Sequence, residues 1–199
     1  MSYQQIGHTP RGKDPDFYGN IRRRLIYATK FLQNLNLYLL RHGEAGNRTA
    51  IPVKDAERSL TVAGRKELEE IAGSMLSQGM RFDKILASPL KRAYETAAIV
   101  AKTFKTLNLL EQWNELRPEA SRPDTYRRLS KLKQDSEILI VGHEPYLGTM
   151  IGEMISGNGN SHIILKKGGL AKIRVTSFVP KASGELRWLL TPKQIRKLS

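Results

Sequence analysis

Two histidines end apolar runs in this chain: His42 in Leu39-Leu40-Arg41-His42-Gly43-Glu44 and His143 in Ile140-Val141-Gly142-His143-Glu144-Pro145. Between them runs Ser88-Pro89-Leu90-Lys91-Arg92-Ala93. Imidazole is a nucleophile that can accept a phosphoryl group, guanidinium groups grip phosphate oxygens through a planar fork, and a second imidazole can share the charge that develops during transfer. Arg41, His42, Arg92 and His143 therefore compose a candidate phosphate site. Each motif alone is a weak signal, because a strand-end histidine is commonly structural and an arginine in a first helical turn commonly reaches solvent. Their joint occurrence at three strand ends is the informative feature, since open α/β sheets bind ligands outside the carboxyl ends of their strands.

The elements that must position these residues follow from hydrophobic periodicity. Asn36 to Arg41, Phe82 to Ala87 and Glu137 to Val141 are short apolar runs of the buried-strand type, and Leu107 to Trp113 is a further candidate strand. Thr61 can cap a helix whose Leu68, Ile71, Ala72, Met75 and Leu76 recur at helical spacing, and Gly79 can end it. Ser88 as N-cap and Pro89 at the first helical position are expected to open a helix through about Phe104. That places Arg92 in a first turn, beside free amides and the positive dipole end. A short basic helix is expected over 123–133 and another helix over Pro145 to Ile155. Leu170 to Phe178 and Glu185 to Leu190 read as an antiparallel edge pair joined by a turn containing Gly184. This alternation predicts a three-layer α/β/α sandwich with a mostly parallel central sheet and an antiparallel edge.

The chain has 199 residues, enough for one domain with a substantial core. It contains no cysteine, which excludes disulfides, thiolate-bound zinc and a phosphatase that attacks through a thiolate. Net charge is +14, which favours anionic partners, although a basic excess also serves simply as a solvated surface. Residues 1–19 are polar, and Ile21 to Leu35 reads as a basic amphipathic helix, so residues 1–34 are expected to be an N-terminal extension and 35–199 the catalytic domain. No stretch has the length of a membrane span, and the start lacks the apolar core of a secretory signal, so a cytoplasmic protein without membrane attachment is expected.

The Arg41-His42-Gly43 opening, the Ser88-Pro89-Leu90-Lys91-Arg92-Ala93 segment and the late Gly142-His143 resemble those of the histidine phosphatase superfamily, the phosphoglycerate-mutase-like proteins. Closer detail resembles its small SixA-type phosphohistidine phosphatases. That detail comprises Arg41 to Ala45, Leu60-Thr61 with Gly64, Glu115-Leu116-Arg117-Pro118, Gly142 to Pro145, Lys166 to Ala171, and Trp188 to Pro192. The match spans about residues 35 to 193. The resemblance implies that His42 attacks phosphorus in line and yields the phosphoryl group to water. Arg41, Arg92 and His143 would hold the equatorial oxygens, with no metal and no cofactor. It also implies an acidic residue to protonate a leaving alkoxide, for which Glu115 and Glu144 are equal candidates and Glu44 lies near the nucleophile.

The leading expectation is a metal-independent phosphatase acting on phosphohistidine in a protein, as a monomer. A phosphatase of small phosphorylated metabolites, pyrophosphate or polyphosphate is the second reading. A non-catalytic module holding polyanions or nucleic acid is the third, although no nucleic-acid-binding motif is evident. Arg117, Arg122, Arg127 and Arg128 form a candidate basic lip for an acidic protein surface, Lys166 and Lys167 a candidate rim, and Asn47 or Arg48 a candidate phosphate contact. His8 and His162 have no ligand spacing, so a metal site is not expected.

Overall fold

The structure is a computed structural model and describes residues 35–47, 50–158, 161 and 163–198. The expectations for residues 1–34 lie outside these, except that Leu35 begins the first strand rather than ending a helix. The strands are β1 (Leu35–Arg41), β2 (Lys84–Ala87), β3 (Leu110–Gln112), β4 (Glu137–Gly142), β5 (Leu170–Ser177) and β6 (Ser183–Leu190). The helices are α1 (Pro52–Ala56), α2 (Val62–Ser77), α3 (Lys91–Thr103), α4 (Arg122–Leu129), α5 (Tyr146–Ser156) and α6 (Pro192–Ile195). No helix among the described residues is long and apolar enough to cross a membrane.

The six strands form one sheet in the order β3-β2-β4-β1-β5-β6. The first four in that order run parallel, while β5 pairs antiparallel with β1 and β6 antiparallel with β5. The expected mostly parallel sheet with an antiparallel edge is therefore present. Successive side chains of a strand point to opposite faces, and here both faces are buried, which is why β1 reads as an unbroken apolar run. Leu37, Leu39, Leu86, Ile138 and Ile140 pack on one side against Trp113, Tyr146, Leu147, Met150 and Phe178. Tyr38, Leu40, Ile85, Leu139 and Val141 pack on the other against Leu68, Ile71, Met75, Ala97 and Val100.

Local chemistry explains the helix ends. The Thr61 side chain accepts the Gly64 amide and starts α2, and beyond its last turn Gly79 takes the left-handed conformation at φ +71°. The third helix departs from expectation. Leu90 is extended (φ −64°, ψ 131°), so α3 begins only at Lys91, with Leu90 as its N-cap and no side-chain cap. Ser88 does not cap the helix, because its hydroxyl is drawn inward to His143. The edge hairpin is also corrected: its connection is Phe178 to Ala182, and Gly184 lies within β6 opposite Val175.

Register brings the three motifs together. Arg41 lies opposite Gly142 and Ala87 opposite Val141, so β1, β4 and β2 finish level with one another. Beyond them the His42 amide donates to the Gly142 carbonyl and the Ser88 amide to the Val141 carbonyl, both at 3.0 Å. His42, His143 and Ser88 are consequently neighbours in space across three chain segments.

Candidate active site

The His42 ring is set by its own backbone. Its Nδ1 lies 2.7 Å from the Gly43 carbonyl, an acceptor, so Nδ1 carries the hydrogen and Nε2 is bare. The Gly43 amide donates in turn to Oγ1 of buried Thr96 on α3 at 3.1 Å, which fastens the turn after β1. Burial is the main force pushing the His42 pKa down to about 3; the Gly43 carbonyl opposes it, and the charges of Arg92, Arg41 and Arg58 add to it. The imidazole is therefore neutral at physiological pH, with no hydrogen on Nε2.

His143 sits beside it, with ring centroids 5.1 Å apart and ring planes inclined by 56°. Burial again dominates in pushing its pKa down to about 2, followed by His42 and the arginines Arg92, Arg41 and Arg58. Its Nε2 lies 2.9 Å from Ser88 Oγ. Its Nδ1 is buried and has no hydrogen-bond partner among the described residues, and the same holds for Nε of Arg41. Two orphaned polar atoms at one place are costly unless a ligand satisfies them, and an Arg Nε–H calls for an acceptor such as an oxyanion.

The guanidiniums are held from behind. Arg41 donates through Nη1 to the Leu165 carbonyl at 2.8 Å. The Lys166-to-Leu170 segment grips the end of β1: the Arg41 amide donates to the Gly169 carbonyl, and the Gly168 amide donates to the Arg41 carbonyl. Arg92 is buried, with Nε 3.3 Å from His42 Nε2, Nη1 2.8 Å from the Asp55 carbonyl, and Nη2 3.3 Å from the Asp55 carboxylate. The same carboxylate meets Nε of Arg58 at 3.2 Å. Asp55 thus joins two guanidiniums whose charge reaches both imidazoles. Arg41, His42, Arg58, Arg92, His143 and Glu144 line one crevice of about 670 Å³. Among the described residues, no group of three or more His, Asp or Glu side chains is placed to hold a metal ion.

The two carboxylate candidates separate. Glu115 does not face the crevice: Arg128 donates to its two oxygens at 3.0 and 2.8 Å while stacking 3.9 Å over the Trp113 ring. The physical reason is the backbone, since the Glu115 carbonyl accepts from Thr125 Oγ1 and the Tyr146 hydroxyl inside the fold, leaving the side chain to point out toward α4. Burial works upward on its carboxyl, but its own backbone amide and Arg128 outweigh that and hold it below the usual range. Glu144 does line the crevice. It is half-buried, and burial raises its carboxyl against the opposing Leu165 amide, the Arg41 charge and the Gly148 amide. The Leu165 amide donates to its Oε1 at 3.2 Å.

Other expectations resolve similarly. Of the candidate basic lip, Arg117 lines the crevice, while Arg122 pairs with Glu153, Arg127 with Asp124 and Arg128 with Glu115. Lys167 lines the crevice and stands 3.9 Å from Glu44 at its mouth, and Asn47 also lines it. Arg48, His8 and His162 lie outside the described residues. Sequence reading did not single out Asp55, Arg58 or Thr96. The only signal for the first two was an Asp-x-x-Arg at helical spacing, which by itself reads as a surface pair.

The chain is similar to known proteins in sequence and in fold. A family model described as the histidine phosphatase superfamily (branch 1) matches residues 37–120. An uncharacterized protein of Picosynechococcus sp. is 32% identical over 163 residues, covering 80% of this chain and 98% of the relative. Phosphohistidine phosphatase SixA of Escherichia coli is 21% identical over 164 residues, covering 81% of this chain and 97% of its own length. Among solved structures, the protein histidine phosphatase SixA complexed with tungstate superposes with a TM-score of 0.69 at 22% identity, covering 79% of this chain and 97% of that one.

Proposed function

The chain belongs to the histidine phosphatase superfamily, and we propose that within it this protein hydrolyses phosphohistidine in a protein substrate through a phosphoryl group carried on His42. The observation that carries this reading is the hydrogen bond from His42 Nδ1 to the Gly43 carbonyl, which leaves Nε2 without a hydrogen and facing the Arg92 guanidinium. In the first step a bond forms from Nε2 to phosphorus as the P–N bond to the substrate imidazole breaks. The electron pair goes to the leaving nitrogen, and the other substrate nitrogen already carries a proton, so a neutral imidazole departs. Arg41, Arg92 and His143 receive the equatorial oxygens. In the second step water bonds to phosphorus as the P–Nε2 bond breaks, and a water proton passes to the phosphate. The Nδ1–H bond to Gly43 persists throughout, so His42 also departs as a neutral imidazole.

The leaving-group side supports a P–N substrate. Glu115 is turned away, and Glu144 accepts the Leu165 amide, an arrangement of an acceptor rather than of a freely placed acid. An alkoxide needs a proton from the enzyme, whereas a protonated phosphoimidazole does not.

The test is phosphate release from a phosphohistidine protein, alkyl phosphomonoesters and polyphosphate, with His42→Ala and Arg92→Ala controls. Phosphohistidine is expected to turn over on the order of 100-fold faster than the esters, the scale of one acid-assisted step. Equal rates would refute the substrate assignment. Phosphoryl label retained under alkaline quench on the native protein and absent from His42→Ala is expected. Polyanion binding without any label would favour a non-catalytic module.

A further inference from the structure

The group that meets His143 is neither charged nor at the surface. Ser88 is fully buried, and its Oγ lies 2.9 Å from His143 Nε2. The end of β2 holds it there, because the Ser88 amide donates to the Val141 carbonyl on the neighbouring strand. The Leu90 amide approaches the same Oγ at 3.4 Å, so the oxygen accepts on that side and its own hydrogen is available to the ring. The other ring nitrogen, Nδ1, is buried and without an acceptor among the described residues, although His143 lines the crevice.

We propose that Ser88 is a positioning residue that sets the tautomer of His143. By donating to Nε2 it leaves the hydrogen on Nδ1, the one ring nitrogen free to donate to a non-bridging oxygen of the bound phosphoryl group. Which nitrogen of an imidazole carries the hydrogen is decided by the bond the other one makes. With the tautomer reversed, Nε2–H would donate to Ser88 and a bare Nδ1 would turn its electron pair toward negatively charged oxygens. An imidazolium would donate from both nitrogens, but burial and the nearby arginines disfavour it. The assignment of the acceptor as a phosphoryl oxygen rests on the phosphatase reading above, whereas the tautomer does not.

Nitrogen-15 NMR of the ring nitrogens tests the two parts separately. The native protein is expected to show His143 with hydrogen on Nδ1 and a bare Nε2. Addition of inorganic phosphate is expected to move the Nδ1 resonance even if no substrate is ever turned over. Ser88→Ala is expected to populate both tautomers and to lower kcat on the order of 10- to 100-fold, the loss typical when the group orienting a functional imidazole is removed, with KM nearly unchanged. Hydrogen found on Nε2 in the native protein would overturn the proposal without recourse to any variant. So would a Ser88→Ala protein whose tautomer is unchanged, whatever its activity.

Discussion

Arg92 directs its Nε–H at Nε2 of His42 across 3.3 Å while its two other nitrogens hold Asp55. The guanidinium is shared between His42 and a carboxylate on α1. In this resting arrangement the electron pair of His42 is engaged, and Asp55 supplies the negative charge that a phosphoryl group would bring. In the proposed reaction, binding of substrate would exchange one anionic partner of Arg92 for another beside His42.

Asp55→Ala should therefore lower stability in the absence of anions by about 2 kcal/mol, between the small value of an exposed pair and the larger cost of stranding a buried charge. Both Arg92 and Arg58 lose a partner by this change, at side chains only 6% and 13% exposed. Inorganic phosphate should raise the melting temperature of the variant more than that of the native protein. Thermal denaturation with and without phosphate reads both effects, and an unchanged melting temperature would show that the bridge contributes nothing.

The two imidazoles impose a pH dependence on folding. In the unfolded chain each titrates near 6.5, while in the fold their pKa values are pushed down to about 3 and about 2. Between those limits the unfolded state binds more protons, so stability falls as pH falls below about 6.5 and is unaffected by these groups well above it. The slope is at most ~1.4 kcal/mol per pH unit for each ring. Urea titrations between pH 7 and pH 5 should show the loss, and His143→Gln should have roughly half the slope. A native slope no steeper than that of the variant would mean that His143 is not held neutral.

The carboxylates should behave unequally. Glu115→Gln should leave turnover unchanged and cost less than ~1 kcal/mol, because its pair with Arg128 is partly exposed. Glu144→Gln should slow alkyl phosphomonoesters and phosphohistidine alike and by less than about 10-fold, since Glu144 lines the crevice but accepts the Leu165 amide and protonates neither leaving group. Steady-state rates on both substrate types decide this. A large loss in Glu115→Gln would mean that its pair with Arg128 opens during catalysis.

Gly148 occupies the interior of α5, where alanine ordinarily stabilises a helix by about 1 kcal/mol. Here a Cβ would stand 2.0 Å from the Ile163 carbonyl oxygen and 2.8 Å from Glu144 Oε2. Gly148→Ala should instead destabilise the protein by about 1–3 kcal/mol, as overpacking does, and displace the Glu144 carboxylate. Equilibrium unfolding gives the sign directly, and a stabilised variant would show that the 163–165 segment yields freely.

Periodicity and punctuation in the sequence determined the framework. The apolar runs ending at Arg41, Ala87 and Val141, the Thr61 start of α2 and the antiparallel β5–β6 edge are local patterns, because burial on both sheet faces and capping leave marks within a few residues. The convergence of His42, His143, Arg41 and Arg92 could be anticipated for the same reason: strand ends are legible, and parallel neighbours place their ends together. Only the tertiary structure decided what each polar side chain meets. Ser88 looks like a helix cap beside Pro89 and is instead the partner of a histidine 55 residues away. Glu115 matched a family position but turns out to Arg128, and Asp55 and Arg58 gain their place only when α1 folds against Arg92. Hydrophobic pattern is a property of the chain's own period, whereas the direction of a charge or a hydroxyl is set by whichever distant group burial leaves in need of a partner.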